Sequence, residues 1–157
     1  MKALSVRQPW AELLAAGLKT IEIRTWWPRV QLPMLVAIHA SKTWDDNASI
    51  GLDALANMSG VHNRRGGIIG AVRLLERIDY GGWRQDRADP DNFLKGHAIW
   101  AQDALLHLNP LDSWAANKVG LCFDQPVRFP EIIPCRGKPG LFDLPEEVVK
   151  QIEALTT

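Results

Sequence analysis

The spacing of apolar residues between positions 5 and 27 constrains the fold most, because it first follows the period of a helix. Trp10, Leu13 and Leu14 fall at i, i+3 and i+4 on one helical face. Pro9, with its fixed φ and missing N–H, suits the first turn of that helix. Gly17 fits a helix end in the left-handed conformation. The segment therefore predicts a short helix that begins near Pro9 and stops at Gly17.

After Gly17 the period drops to two, which is typical of a strand. Ile21 and Ile23 are expected to point toward a core. The intervening residues are expected to form an outward polar and charged face, which consists of Thr20, Glu22 and Arg24.

The predicted helix N-terminus lies beside this charged strand. Free backbone N–H groups at a helix start favour an anion, and Arg7 and Gln8 precede the helix directly. The two features together predict an anion-binding corner between the helix and the strand.

Further strands and helices are indicated along the chain. The run Met34 to Ala40 is almost continuously apolar, as in a strand buried on both faces. Thr43 resembles the start of a capping box that opens a helix. Ile68 to Glu76 predicts another strand, in which Gly70 marks a bulge or a close backbone approach. The remaining predictions are strands over Val119–Phe123, Val127–Ile133 and Gly137–Leu144, a turn at Gln125-Pro126, and helices over Ala98–Leu108 and Pro145–Leu155.

Short strands with interspersed helices, without regular βαβ alternation, favour an α+β barrel over a doubly wound sheet. No internal repeat or linker divides the 157 residues, so residues 1–157 are expected to form a single domain. The polar segment from Asp79 to Gly96 is predicted to be a mobile lid beside the binding cleft, because it is long and rich in glycine and charge.

Composition indicates a cytoplasmic globular protein. Hydrophobic residues make up 46% and charged residues 23%, and no stretch approaches the roughly 18 apolar residues of a membrane span. The N-terminus lacks a signal-peptide core. Cys122 and Cys135 have no metal-binding spacing and are expected to be reduced. No metal or cofactor is predicted.

Charge is distributed unevenly along a chain whose net charge is zero. Residues 1–42 hold six Lys or Arg against two acids, whereas the segment from Asp143 to Glu153 is acidic. A neutral protein is not expected to coat nucleic acid, but a local basic face indicates a local anionic ligand.

Several motifs resemble the ASCH family (activating-signal-cointegrator homology), a branch of the PUA-like β-barrels. They are LSVRQPWA at 4–11, GLKTIEIR at 17–24, HAS at 39–41, Gly70 in its strand, and GKPGLF at 137–142. The resemblance implies a PUA-like small β-barrel of about five to six strands with flanking helices. It also implies a cleft for RNA or a modified nucleoside at Lys19, Glu22 and Arg24.

Seven tryptophans exceed what a core of this size needs. Trp26 and Trp27 are adjacent at a strand end, so one of them is expected to leave the core and offer a surface for base stacking. His39 is read as a core histidine, with a proton-shuttle role as the alternative. Lys138 lies in a tight turn that can bring it to the rim. The candidate ligand-binding residues are Arg7, Gln8, Pro9, Trp10, Lys19, Glu22, Arg24, Trp26, Trp27, His39, Ser41 and Lys138.

Two functional classes stay open. The first is a module that binds RNA or a modified nucleoside. The second is a hydrolase, for which Lys19, Thr20 and Glu22 are the candidate catalytic residues. Relatives that resemble amidohydrolases of acylated cytidine carry a threonine nucleophile where this chain has Glu22, and a carboxylate there more often acts as a base. Ribonuclease action by Lys19, Arg24 and His39 is a further alternative. Neither turnover nor the oligomeric state follows from the sequence.

Overall fold

The computed structural model describes residues 1–46, 60–79 and 118–156. In these ranges six strands and two helices surround a hydrophobic core, with a short 3-10 turn at Val61–Asn63. The elements are β1 (Lys2–Gln8), α1 (Trp10–Ala15), β2 (Ile21–Arg24), β3 (Met34–Trp44), β4 (Gly67–Asp79), β5 (Val119–Pro134), β6 (Leu141–Asp143) and α2 (Glu146–Thr156).

The six strands form one sheet in the order β2-β5-β4-β3-β1-β6. Strands β1 and β3 run parallel, and every other neighbouring pair is antiparallel. Register shifts interrupt the β3–β4 and β4–β5 pairings, and such bulges increase the twist and curvature of a sheet. The α+β class and the six strands agree with the prediction. The sheet is barrel-like but not closed, since β2 and β6 remain its edges in the described ranges.

The core has two main parts, each covered by a helix. One contains Leu14 of α1 with Leu4, Leu121 and Phe123 of the sheet, and we call it the main core. The other contains Ile152 of α2 among buried residues of the opposite sheet face, including Phe129 and Phe142. Burying a large apolar side chain completely contributes roughly 1.5–3 kcal/mol. Packing against the sheet therefore stabilises α1, because a helix of only six residues is not stable in isolation.

Two glycines fulfil the roles expected from the sequence. Gly17 follows α1 with a φ of +75°, the left-handed conformation of a helix end. A Cβ at Gly70 would stand 2.6 Å from the Val127 carbonyl oxygen and 2.8 Å from the Ala15 Cβ. Gly70 therefore allows α1 to lie directly on the sheet.

The structure corrects two predictions about secondary structure. Val119–Pro134 is one bent strand, not two strands and a turn, and Gln125 accommodates the bend with a φ of +47°. Thr43 does not cap a helix, because it belongs to the end of β3. Pairing with neighbouring strands outweighed the local signal at both places.

Other predictions lie outside the described residues: the helix after Thr43, the helix over Ala98–Leu108, Trp83, Trp100, Trp114, and the lid beyond Asp79. Within the described ranges, no helix has the length and apolar character needed to cross a membrane.

Candidate functional site

Three charged residues predicted from the sequence come together at β2. One Glu22 carboxylate oxygen lies 3.1 Å from Arg24 Nη2, and the other lies 3.6 Å from Lys19 Nζ. The Lys19 ammonium also donates to the Ile21 carbonyl. The Lys19 side chain is only 4% exposed and that of Glu22 13% exposed. We call Lys19, Glu22 and Arg24 the β2 cluster; it is a compact, partly buried group with one excess positive charge.

The β2 cluster faces the interior of the curved sheet. In the antiparallel β2–β5 pair, Glu22 is opposite Leu121 and Arg24 is opposite Val119. Directly opposite residues share a face of the sheet. Leu121 and Val119 belong to the main core, so the carboxylate and the guanidinium lie on the core-facing side.

The sequence predicted that Ile21 and Ile23 would point toward a core, and Ile21 is fully buried in a small core cluster with Ile78 and Cys122, against which Ile23 packs. The sequence also predicted that Glu22 and Arg24 would point outward, which is wrong, because their face is the one that lies on the main core. Alternation shows that the two faces of β2 differ, but pairing with β5 decides which face is which. β2 is an edge strand of the open sheet, so its core-facing charges lie next to the gap between β2 and the other end of the sheet. We call this gap the opening.

Arg24 spans this opening from one side to the other. Its Nη2 donates to the Ser5 carbonyl of β1 at 2.8 Å, although β1 lies four strands away from β2 in the sheet. The Arg24 Nε atom is buried and has no hydrogen-bond partner within residues 1–46, 60–79 and 118–156. Buried donors nearly always have a hydrogen-bond partner, and a donor without one is explained by a bound ligand, an ordered water or strain.

Trp10 forms an aromatic wall of the site. The Lys19 ammonium lies 5.8 Å from the centroid of the Trp10 ring, within the range of a cation–π contact. The Trp10 Nε1 donates to Asp45 at 2.9 Å, which fixes the ring orientation. A partly exposed indole is therefore held rigidly next to the β2 cluster.

Gln8 caps the start of α1 from inside the protein. Its Oε1 accepts from the Glu12 N–H at 3.0 Å, and its Nε2 donates to the Arg64 carbonyl at 2.7 Å. The Gln8 side chain is fully buried, and Pro9 is buried beside it. Both groups of the amide are thus used within the fold. Arg7 is exposed and, by alternation along β1, lies on the face away from Val6 and the main core.

The fold and these contacts can now be compared with known proteins. The ASCH domain model matches residues 4–120 of the 157. The chain belongs to the ASCH domain family. This family is generally linked to RNA binding.

Solved structures with a similar fold include an ASCH protein from Zymomonas mobilis. Its crystal structure matches with a TM-score of 0.56 and 15% sequence identity, over 99% of this chain and 95% of that one. A mutant form of the same protein matches with a TM-score of 0.54 and 15% identity, over 99% of this chain and 98% of the other. No curated protein matches. At such low identity the likeness concerns the fold alone.

The tryptophan pair of this ASCH domain is placed differently from the prediction. Trp26 and Trp27 are both partly buried, and both pack against the main core. Strand β2 already ends at Arg24, so strand alternation does not extend to the two indoles. The Arg77 guanidinium lies 5.0 Å from the centroid of the Trp27 ring and takes up part of its surface.

His39 is buried on the other side of the sheet. Its Nε2 donates to the Cys135 carbonyl at 3.0 Å, since a carbonyl can only accept. Its Nδ1 therefore accepts from the Ser5 hydroxyl, also at 3.0 Å. Burial lowers the pKa of His39, and the hydrogen bond to Cys135 opposes this only in part. The ring meets Phe142 edge to face, in the core under α2.

Three further candidates are Ser41, Lys138 and Thr20, and in the described ranges Ser41 and Lys138 form no hydrogen bond or ion pair with the β2 cluster. Ser41 bonds locally to the backbone of Thr43. Lys138 is exposed, and its charge acts on Asp143, whose pKa is lowered first by its hydrogen bond to Lys2. Thr20 precedes β2, and its carbonyl accepts from the Phe123 N–H.

Arg77 is an inward-facing cation that the sequence did not reveal. A register shift in β4 after Leu74 places Arg77 opposite Leu121, the same residue that pairs with Glu22. Its Nη1 donates to the Pro28 carbonyl at 2.5 Å. No local signal marks this bulge, because it arises from pairing between strands that are distant in sequence.

A second missed group surrounds Glu12. Its carboxylate is fully buried and pairs with Arg64 Nε at 3.0 Å and with Arg128 Nε. A charged residue within the apolar run of α1 was the available signal. We call Gln8, Glu12, Arg64 and Arg128 the Glu12 network. No described residues form a group of three or more His, Cys, Asp or Glu suited to a metal ion.

Proposed function

We propose that this ASCH domain binds RNA or a modified nucleoside at the β2 cluster, beside Trp10. The observation that carries the proposal is the buried Arg24 Nε at the opening between β1 and β2, for which the described part of the chain supplies no hydrogen-bond partner. An oxygen or ring nitrogen of a bound base, or a phosphate oxygen, would satisfy this donor. The excess positive charge of the cluster favours a ligand that carries phosphate.

Each member of the cluster has a chemical role in such a complex. Arg24 supplies directed N–H donors, which suit a base edge or a phosphate. Glu22 can accept from the exocyclic amine of cytosine. Lys19, held against Trp10, contributes a positive charge that is little exposed to screening. The partly exposed Trp10 ring offers an apolar face for a base, and stacking is worth roughly 1–3 kcal/mol per base.

The hydrolase alternative fits the geometry less well. A general base needs a carboxylate oxygen that can reach a proton of the substrate or of water. Both Glu22 oxygens already face cations, at 3.1 and 3.6 Å. We therefore expect no efficient deacylation of acetylcytidine.

Titration of labelled single-stranded RNA and of free modified nucleosides tests the binding site. Lys19→Met keeps an apolar stem against Trp10, and Arg24→Ala removes the unpartnered donor. We expect each to weaken binding about tenfold or more, as loss of a partly buried charged contact would. Lys150→Ala is the matched control, because Lys150 is exposed on α2 and pairs there with the neighbouring Glu146. Wild-type affinity in both site variants would refute the assignment.

Product analysis in the same wells decides between binding and turnover. Incubation with acetylcytidine should leave the acyl group in place in the wild type and in Glu22→Gln. Robust release of acetate by the wild type that disappears in Glu22→Gln would favour the hydrolase. Loss of turnover in Lys150→Ala as well would point to instability of the preparation.

We further propose a cytoplasmic location. Cys122, in the core, and Cys135, partly exposed, are not joined in a disulfide, which suits a reducing compartment. Finding the protein in a secreted fraction of its host would contradict this.

A further inference from the structure

Arg128 is held in an orientation that presents donors to solvent. Its Nε contacts the fully buried Glu12 carboxylate, while the side chain as a whole is 38% exposed. Among the described residues, its Nη1 and Nη2 have no hydrogen-bond partner. The planar fork of an arginine matches two phosphate oxygens. Anchoring through Nε lowers the entropy lost when that fork binds.

Arg64, the other arginine of the Glu12 network, already balances the charge of Glu12, so the positive charge of Arg128 is in excess. Arg64 uses all three nitrogens, with Nε on Glu12, Nη1 on the Pro130 carbonyl, and Nη2 on the carbonyls of Ile69 and Phe129. Arg64 therefore uses four of its five N–H donors within the fold and compensates the Glu12 carboxylate. The positive charge that remains is that of Arg128, at the surface.

Arg128 and the β2 cluster lie on different sides of α1. Trp10, which contacts Lys19, and Glu12, which contacts Arg128, are two positions apart in the helix. Two positions correspond to about 200° of rotation, so the two side chains leave opposite faces. An α-helix is about 10 Å across with its side chains, so a ligand that contacts both positions has to extend past α1.

We propose that Arg128 is a second phosphate-binding position, used by the backbone of an RNA strand whose base occupies the β2 cluster. This rests on the proposed function and narrows it, because a free nucleoside would not reach Arg128. The ligand class is then a single-stranded oligoribonucleotide. The Glu12 carboxylate acts as the positioning residue for the Arg128 fork.

The test compares a single-stranded RNA of about eight nucleotides, within the usual site sizes of about 4–16, with free cytidine. Both are titrated against wild type, Arg128→Gln and Arg128→Lys at several salt concentrations. Arg128→Lys keeps a cation opposite Glu12 and removes the fork, so it remains informative if Arg128→Gln unfolds. Arg73→Gln is the matched control, because Arg73 is 37% exposed but has its fork occupied by Asp124.

We expect both Arg128 variants to bind the RNA about five- to tenfold more weakly at low salt. Their slope of log K against log salt should fall by about 0.7, the value for one phosphate contact in a single strand. Cytidine binding should not change, and Arg73→Gln should match the wild type.

The two proposals fail in distinguishable ways. RNA binding by wild type and both Arg128 variants with equal affinity and equal slope would overturn the role of Arg128 and leave the β2 cluster intact. Absence of RNA binding by the wild type would overturn both. Equal weakening for RNA and cytidine would show that Arg128 acts through the fold alone, which also refutes the proposal.

Discussion

Two glutamates of this ASCH domain are each bound by two cations, yet their surroundings differ. Glu12 is fully buried between Arg64 and Arg128, with its backbone N–H held by Gln8. Glu22 lies at the opening of the sheet between Lys19 and Arg24, and its side chain is 13% exposed.

The difference lies in which polar groups remain unsatisfied. In the Glu12 network every buried side-chain nitrogen and oxygen has a partner, and among the described residues only Nη1 and Nη2 of the exposed Arg128 are without one. In the β2 cluster the unused donor is the buried Arg24 Nε. Each site has one carboxylate and two cations. In the Glu12 network these charges mainly stabilise the fold, whereas the β2 cluster keeps a buried donor that a ligand can use. The two sites have the same net charge, so they differ in whether their buried donors are hydrogen-bonded.

The largest effect is expected for Glu12→Gln. Removing one partner from a buried ion pair leaves uncompensated charge, which costs about 3–5 kcal/mol. Urea denaturation should therefore show a large fall in the free energy of unfolding. Glu146→Gln is the control, because Glu146 is an exposed partner of Lys150 on α2. If Glu12→Gln were as stable as this control, the Glu12 network would not be a structural element.

A smaller loss is expected for Glu22→Gln, about 1–2 kcal/mol, because solvent screens part of the interaction. The substitution also raises the charge of the β2 cluster from +1 to +2, with Lys19 and Arg24 unchanged. RNA should therefore still bind, while any preference for cytosine over uracil should fall. Urea denaturation and competition between the two bases measure both parts. A loss of stability equal to that of Glu12→Gln would remove the distinction between the two glutamates.

His39 extends the comparison to a buried group that stays neutral. Burial lowers its pKa in the folded protein, whereas the unfolded chain protonates His near pH 6.5. Below about pH 6.5 the unfolded state therefore binds more protons. The free energy of unfolding should fall as the pH falls below this value and level off below the folded-state pKa. Urea midpoints across this range should lose that component in His39→Gln; an unchanged profile would exclude His39 as its source.

The smallest effect is expected for the surface pair Arg73 and Asp124. The hydrogen bond from Arg73 lowers the pKa of Asp124, so its contribution exists above the unfolded-state pKa and disappears in acid. Exposed ion pairs contribute little and are screened by salt. Asp124→Asn should leave the urea midpoint at neutral pH within experimental error. A fall comparable to that of Glu22→Gln would contradict the ranking by burial.

Much of the local structure was predictable from residues close in sequence. The spacing of Trp10, Leu13 and Leu14 indicated α1, and Gly17 indicated its end. The apolar run from Met34 indicated β3. The grouping of Lys19, Glu22 and Arg24 was also predictable, because they are separated by only a few positions around one short strand.

The sequence by itself determined α1, β2, β3 and α2, the ASCH family, and the proximity of the three charged residues, since these depend on local periodicity and short motifs. Only the tertiary structure decided that Glu22 and Arg24 face the main core, because that depends on the register of β2 with β5. It also decided that Gln8 is buried as a cap, and that Arg128 meets Glu12 across 116 residues of sequence. Such contacts arise when the curved sheet packs against α1, and no pattern within a single segment encodes them.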